Sequence, residues 1–251
     1  MNRTALALTA ALLLGCGGCG HSTSSVRTDA GDSRDSHDDA ERVSIPLPAD
    51  EVRYLALGDS FTIGTGSTPD RSFPVRWASR WGAGCTPNVS NLGVNGFTTQ
   101  DLIEIELPQL AGFAKPAAKT WVSLAIGAND VVAGASQDDY RAHVKTILAA
   151  VLGAGITPQH LVVVPQPDWS LTPKGALFGA KAITAARIGW FNDILAEEAK
   201  AVGARYVDLF PLMTKEVNAG MIADDGLHPS AAAYDEWGAE LAKLVPTPCG
   251  K

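Results

Sequence analysis

From residue 52 onward, short apolar runs alternate with longer segments of helical periodicity, and that alternation restricts the chain to few folds. The runs are "VRYLALG" (52–58), the weaker "NVSNLG" (88–93), "TWVSLAIG" (120–127), "HLVVVP" (160–165) and "RYVDLF" (205–210). Most are apolar at nearly every position, the pattern of strands buried on both faces. Helices are expected at 73–82, with proline in the first turn, at 98–113, helical until about Pro108, and from Ser136 to about Gly153. Ser136 and Asp139 have capping-box spacing, and Tyr140, Val144, Ile147, Leu148 and Val151 share a face. A further helix turns Phe191, Ile194, Leu195, Ala199 and Val202 inward, and a last one spans 230–245. Strand–helix alternation of this kind predicts an α/β fold, a five-stranded parallel sheet with helices on both faces joined by right-handed crossovers. The functional edge of such a sheet is the carboxyl end of its strands. No G-x-G-x-x-G follows a strand, so nothing points to a dinucleotide.

The first fifty residues are different in kind. "MNRTALALTAALLLGCGGCG" places Arg3 before an apolar stretch from Ala5 to Leu14, too short to span a bilayer and ending in small residues. It reads as a secretory signal peptide. Leu13-Leu14-Gly15-Cys16 resembles the lipobox of bacterial lipoproteins, which implies that Cys16 is lipidated and residues 1–15 are removed. The alternative is cleavage elsewhere and a free secreted product. Residues 16–50 are rich in Ser, Asp and Arg and nearly free of aliphatic side chains until Val43, so they cannot offset their chain entropy by burial. They read as a flexible acidic tether, leaving 51–251 as the folded domain. The expected location is the bacterial cell envelope, at a membrane through the lipid. With a net charge of -7 and no basic block, no nucleic-acid partner is expected.

"YLALGDSFTIG" (54–64) ends a strand abruptly in Gly58-Asp59-Ser60. These are turn residues, but they would also mount a serine at the carboxyl end of a strand. A serine nucleophile needs a base, and the base an orienting acid. Of five histidines, His21 and His37 lie in the tether, His143 within a helix and His160 at a strand start. His228, in "ADDGLHPS", precedes Pro229, which suits the first position of the final helix and holds His228 extended. Asp225, across a Gly226 turn, could pair with it, and Asp224 is the less favoured stand-in. Acyl transfer also needs donors for the developing oxyanion. Asn129 in "GAND" and a glycine of "NLGVNGFTT", Gly93 or Gly96, are candidates, though each taken singly suits a plain turn.

The four blocks, Gly58-Asp59-Ser60, the glycine/asparagine loop, Gly127-x-Asn129-Asp130 and Asp225-x-x-His228, occur in this order over about residues 52–245. The set resembles the SGNH (GDSL) hydrolase family. That resemblance implies a flavodoxin-like three-layer α/β/α sandwich and a serine esterase acting through a covalent acyl-enzyme. It assigns Ser60 as nucleophile, His228 as base and Asp225 as its orienter. The Ser60 N–H, the Gly96 N–H (Gly93 as alternate) and the Asn129 amide would form the oxyanion hole. Asp59 braces the turn. "RYLALGDSFTIGTG" and "ARYVDLFPLM" look most like lysophospholipase-like members, and Phe61, Phe97 and Trp169 are candidates for an acyl pocket. No metal or organic cofactor is implied. Lipid or glycan esters suit the envelope equally. The rival readings are a non-catalytic glycan- or partner-binding protein on this fold and an acyltransferase to a sugar. The exported context permits a disulfide between Cys85 and Cys249, which would pin the "PTPCGK" tail, against two unpaired thiols.

Overall fold

Five strands form: β1 (Glu51–Gly58), β2 (Thr86–Asn91), β3 (Thr120–Ala125), β4 (Leu161–Val163) and β5 (Arg205–Tyr206). All pair in parallel, in the order β2-β1-β3-β4-β5. Leu55, Leu57, Val122, Leu124 and Val163 are buried, as strands covered on both faces require. This order is that of the flavodoxin-like doubly wound sheets, and its connections reverse direction between β1 and β3. Loops leaving those two strands at their carboxyl ends diverge there and open a crevice.

The computed structural model describes residues 51–113, 119–246 and 248–249, all within the compact unit Pro46–Lys251. Cys16, Cys19 and the signal and tether expected over 1–50 lie outside the described residues. Among the described residues no helix is long and apolar enough to cross a membrane.

The helices are α1 (Ser60–Ile63), α2 (Phe73–Ala78), α3 (Thr99–Asp101), α4 (Leu110–Phe113), α5 (Ala128–Ala133), α6 (Gln137–Gly153), α7 (Lys181–Ala201), α8 (Phe210–Asn218) and α9 (Ala231–Leu244). Ser136 caps α6 by accepting the Asp139 N–H at 3.0 Å. Tyr140, Val144, Ile147, Leu148 and Val151 form its buried face, as the periodicity predicts.

Several boundaries differ from the sequence expectation, each for a local reason. α2 stops at Ala78, and the chain tightens so that the Arg80 and Trp81 amides donate to Trp77 and Ala78. Pro108 does not end its helix. After α3 the chain passes through a π turn, Leu102–Glu106, and a 3-10 turn, Leu107–Gln109, before α4. The proline sits at the start of the 3-10 turn, where its missing N–H is not required. The run at 205–210 is a strand only over Arg205–Tyr206. Asp208 accepts the Phe210 N–H at 3.0 Å and Pro211 follows in the first turn, so the apolar "FPLM" opens α8 instead. Val202 packs against the core, half-buried, at the C-terminal cap of α7. Pro229 stays outside α9, because the Ser230 hydroxyl takes the Ala233 N–H and so caps the helix one residue later.

A disulfide joins Cys85, just before β2, to Cys249, with their Cα atoms 5.5 Å apart. It lies at the amino end of the sheet, opposite the crevice.

Candidate active site

The turn after β1 is built around Asp59. Its Oδ1 accepts the Phe61 N–H at 3.0 Å, capping α1, and its side chain is fully buried. Burial pushes its carboxyl up to about 7, with Asp130 nearby adding to the rise and the Phe61 N–H opposing it. Ser60 is therefore the first helical residue, and its N–H is one that the helix itself leaves over.

His228 arrives from a second turn. Its carbonyl accepts the Ala223 N–H at 2.8 Å, and Gly226 N–H closes the turn onto Ala223 at 2.9 Å. Asp225 Oδ1 accepts the backbone N–H groups of Leu227 at 2.8 Å and His228 at 3.0 Å. Its Oδ2 lies 2.6 Å from His228 Nδ1. Burial works against the Asp225 charge, but these amides and the His228 ring outweigh it and hold the carboxyl below its ordinary value. His228 Nε2 lies 2.9 Å from Ser60 Oγ. Asp224 makes no such bond. The three side chains thus form one line, Asp225–His228–Ser60, across a sequence separation of 168 between the last two.

The loop after β3 supplies Asn129, whose Nδ2 donates to the Phe97 carbonyl at 2.8 Å. That bond uses one amide hydrogen and orients the other. Its neighbour Asp130 turns inward and accepts the Thr99 N–H at 3.0 Å, tying the two loops together. Of the two candidate glycines, Gly96 lines the crevice at a φ of 85°. Gly93 packs under the serine turn, where a Cβ would stand 2.7 Å from the Ile63 nitrogen. The loop is held to the serine turn by hydrogen bonds from Asn91 Nδ2 to the Thr62 carbonyl, 2.8 Å, and between Thr65 and Asn95 side chains.

The crevice is a cavity of about 270 Å³. Ser60, Gly96, Asn129 and His228 line its polar end, and Phe61, Val132, Trp169, Phe178 and Leu227 form apolar walls. Phe61 and Trp169 are therefore at the cavity, but Phe97 is not. Its contribution is the backbone carbonyl that holds Asn129. Phe178, edge-on to Trp169 at 5.4 Å, ends a short 3-10 turn, Gly175–Phe178, whose sequence has no periodicity to single it out. The other two histidines of the domain are occupied elsewhere: His143 Nδ1 meets the Thr99 hydroxyl at 2.9 Å, and His160 stacks on Trp121. Among the described residues no three His, Cys, Asp or Glu side chains gather in a way that could hold a metal ion.

Residues 56–236 match the model of the GDSL-like Lipase/Acylhydrolase family, most of the chain. The chain belongs to that family. Proteins of known structure share its fold at low identity. A carbohydrate acetylesterase family member from Sinorhizobium meliloti superimposes with a TM-score of 0.59 at 16% identity, covering 80% of this chain and 100% of its own. A lipase/acylhydrolase from Enterococcus faecalis gives 0.58 at 19%, covering 77% and 95%. The aryl esterase of M. smegmatis gives 0.56 at 20%, covering 77% and 98%. No curated protein matches the chain in sequence. The family's α/β sheet is thus the frame on which the Ser60, Gly96, Asn129 and His228 loops converge.

Proposed function

We propose that this GDSL-family protein is a serine esterase that hydrolyses carboxylic esters through an acyl-enzyme on Ser60. The observation that carries the reading is the unbroken chain of hydrogen bonds, Asp225 Oδ2 to His228 Nδ1 at 2.6 Å and His228 Nε2 to Ser60 Oγ at 2.9 Å, opening onto a cavity with an apolar wall.

Asp225 accepts from Nδ1–H and so leaves Nε2 free to act as base. As Ser60 Oγ attacks the ester carbonyl carbon, its proton passes to Nε2. The carbonyl oxygen becomes an oxyanion, met by the Ser60 N–H, the Gly96 N–H and the second amide hydrogen of Asn129. Donors fixed in advance are worth most here, because nothing need reorient as charge develops. Collapse breaks the bond to the alcohol oxygen, which leaves with the proton from Nε2. Water, deprotonated by the same nitrogen, then releases the acid and restores Ser60.

The walls formed by Phe61, Val132, Trp169, Phe178 and Leu227 suit the acyl part of the substrate. An exported, lipid-anchored enzyme of this kind would meet acyl or acetyl esters of envelope lipids or glycans. The lysophospholipase-like resemblance favours lipids, while fold neighbours include a carbohydrate acetylesterase family member and an aryl esterase. The test is hydrolysis of p-nitrophenyl esters from acetate to palmitate by the protein and by its Ser60→Ala variant. Release that depends on Ser60 supports the reading, and the chain-length profile separates deacetylase from lipid-directed activity. Folded protein that releases nothing and leaves Ser60 unlabelled by a fluorophosphonate would refute it.

A further inference from the structure

The helical segment that begins with α3 is interrupted by the π turn Leu102–Glu106, closed by the Leu107 N–H donating to the Leu102 carbonyl. A π turn disturbs the regular helical bonding, and such turns occur often at functional sites. This one delivers Glu106. Its side chain is fully buried, on the stripe between Leu102 and Leu110 where an apolar residue belongs. Oε2 accepts the Gly58 N–H at 3.0 Å, and Oε1 has no partner among the described residues.

Gly58 is the last residue of β1, two before the serine. Pairing with β2 ends at Ala56 opposite Asn91, so the Gly58 N–H lies beyond the last strand partner on that side. No side chain at residue 58 could do the work, since a Cβ there would stand 2.1 Å from the Ala125 carbonyl oxygen. A buried amide needs an acceptor, and Glu106 is that acceptor.

We propose that Glu106 is a positioning residue for Ser60: its buried carboxyl, carried in by the π turn, takes the final N–H of β1 and fixes the point from which the serine turn springs. The kinetic consequence rests on the esterase reading; the structural one does not.

The neutral acid fills this role. Burial pushes Glu106 up to about 9, with Asp59 adding to the rise and the Gly58 N–H opposing it. At neutral pH it stays protonated and accepts the Gly58 N–H through Oε2. Ionisation would place a charge beside Asp59 with no lysine or arginine bonded to either carboxyl. Other charged groups nearby are engaged. Asp130 is held by Thr99, which also meets His143. Asp101 is taken by Thr98 and Glu104 by Gln100. On α6, Arg141 and Lys145 turn to Glu197 and Glu198. The phenols of Tyr140 and Tyr234 donate to the Ile126 and Thr65 carbonyls.

The experiment compares the full chain with its Glu106→Met and Glu106→Gln variants. It measures p-nitrophenyl ester hydrolysis across pH 6 to 10 and amide hydrogen exchange over residues 58–61. Met removes the acceptor, while Gln keeps an acceptor oxygen and a donor in place of the acid proton. Glu106→Met is expected to lower kcat by roughly tenfold or more with KM little changed, and Glu106→Gln to restore most of it. The wild type should lose activity as pH rises through about 9, and Glu106→Gln should not. Folded Glu106→Met with wild-type kcat, or an unchanged alkaline fall in Glu106→Gln, would overturn the proposal. If Glu106→Met does not fold, the Glu106→Gln pH profile alone decides. If the wild type shows neither Ser60-dependent hydrolysis nor labelling of Ser60 by a fluorophosphonate, the esterase reading fails; whenever hydrolysis is absent, with or without labelling, exchange decides this one. Faster exchange at Gly58 in Met but not in Gln supports it, and unchanged exchange in both refutes it.

Discussion

Asp225 holds His228 at two points, with Oδ2 2.6 Å from the ring Nδ1 and Oδ1 3.0 Å from the backbone nitrogen of the same residue. One carboxylate therefore fixes both the ring and the peptide that carries it. Asp225→Asn should keep the backbone contact through its amide oxygen but present an N–H to Nδ1. That favours the tautomer with its hydrogen on Nε2, which cannot take the serine proton. The expected outcome is a fall in kcat of about 10⁴-fold, as for the corresponding change in serine proteases, with little loss of thermal stability. Steady-state kinetics beside a melting curve checks both.

Asn129 is oriented by the Phe97 carbonyl, and on the proposed mechanism its other amide hydrogen meets the oxyanion. Asn129→Ala should cost about 10²–10³-fold in kcat and leave KM nearly unchanged. An equal rise in KM would show instead that the amide binds the ground state.

Glu216 gives a stability prediction independent of catalysis. It is buried beneath α9, accepts the Trp237 indole N–H, and burial pushes its carboxyl up to about 8 from an ordinary 4.5, with Trp237 opposing. Between those two values the folded protein holds a proton that the unfolded chain releases. By linkage, Glu216 makes stability fall as pH rises through that window. Glu216→Gln should flatten the decline of Tm between pH 5 and 8, measured by scanning calorimetry.

The Cys85–Cys249 bridge closes a loop with a sequence separation of 164. Chain entropy puts its stabilising effect at up to about 5 kcal/mol. Reduction with dithiothreitol should lower Tm by several degrees. Because the bridge sits at the amino end of the sheet, ester hydrolysis at 25 °C should be unchanged.

Much of this was legible in the chain. The strands β1, β3 and β4 are mostly apolar, and buried parallel pairing needs little else. Asp225 and His228 are near neighbours joined by a glycine turn, so their proximity could be read locally. Ser60 could be placed at a strand end because Gly58-Asp59 breaks the apolar run. What escaped depends on distant packing. The run "RYVDLF" reads as a strand to Phe210, but Asp208 takes the Phe210 N–H and α8 begins there instead. Phe97 and Phe178 are both aromatic residues of connecting segments, and only the fold decides that the second meets Trp169 while the first gives up its carbonyl to Asn129. Glu106 falls at helical spacing from Leu102 and Leu110, so its place on an apolar stripe was visible. The Gly58 amide that explains it was not.

Because Asp225 and His228 come from one short turn, their pairing requires no distant part of the chain, whereas the His228–Ser60 bond joins the two ends of the domain. His228 stands just before α9, and α9 lies against α2, where Arg76 and Arg80 grip Asp235. On the esterase reading, the return of activity in refolding from denaturant is therefore a clock for the docking of the last helix onto the first half of the chain. It should lag behind the recovery of far-ultraviolet helical signal and keep pace with the burial of Trp237.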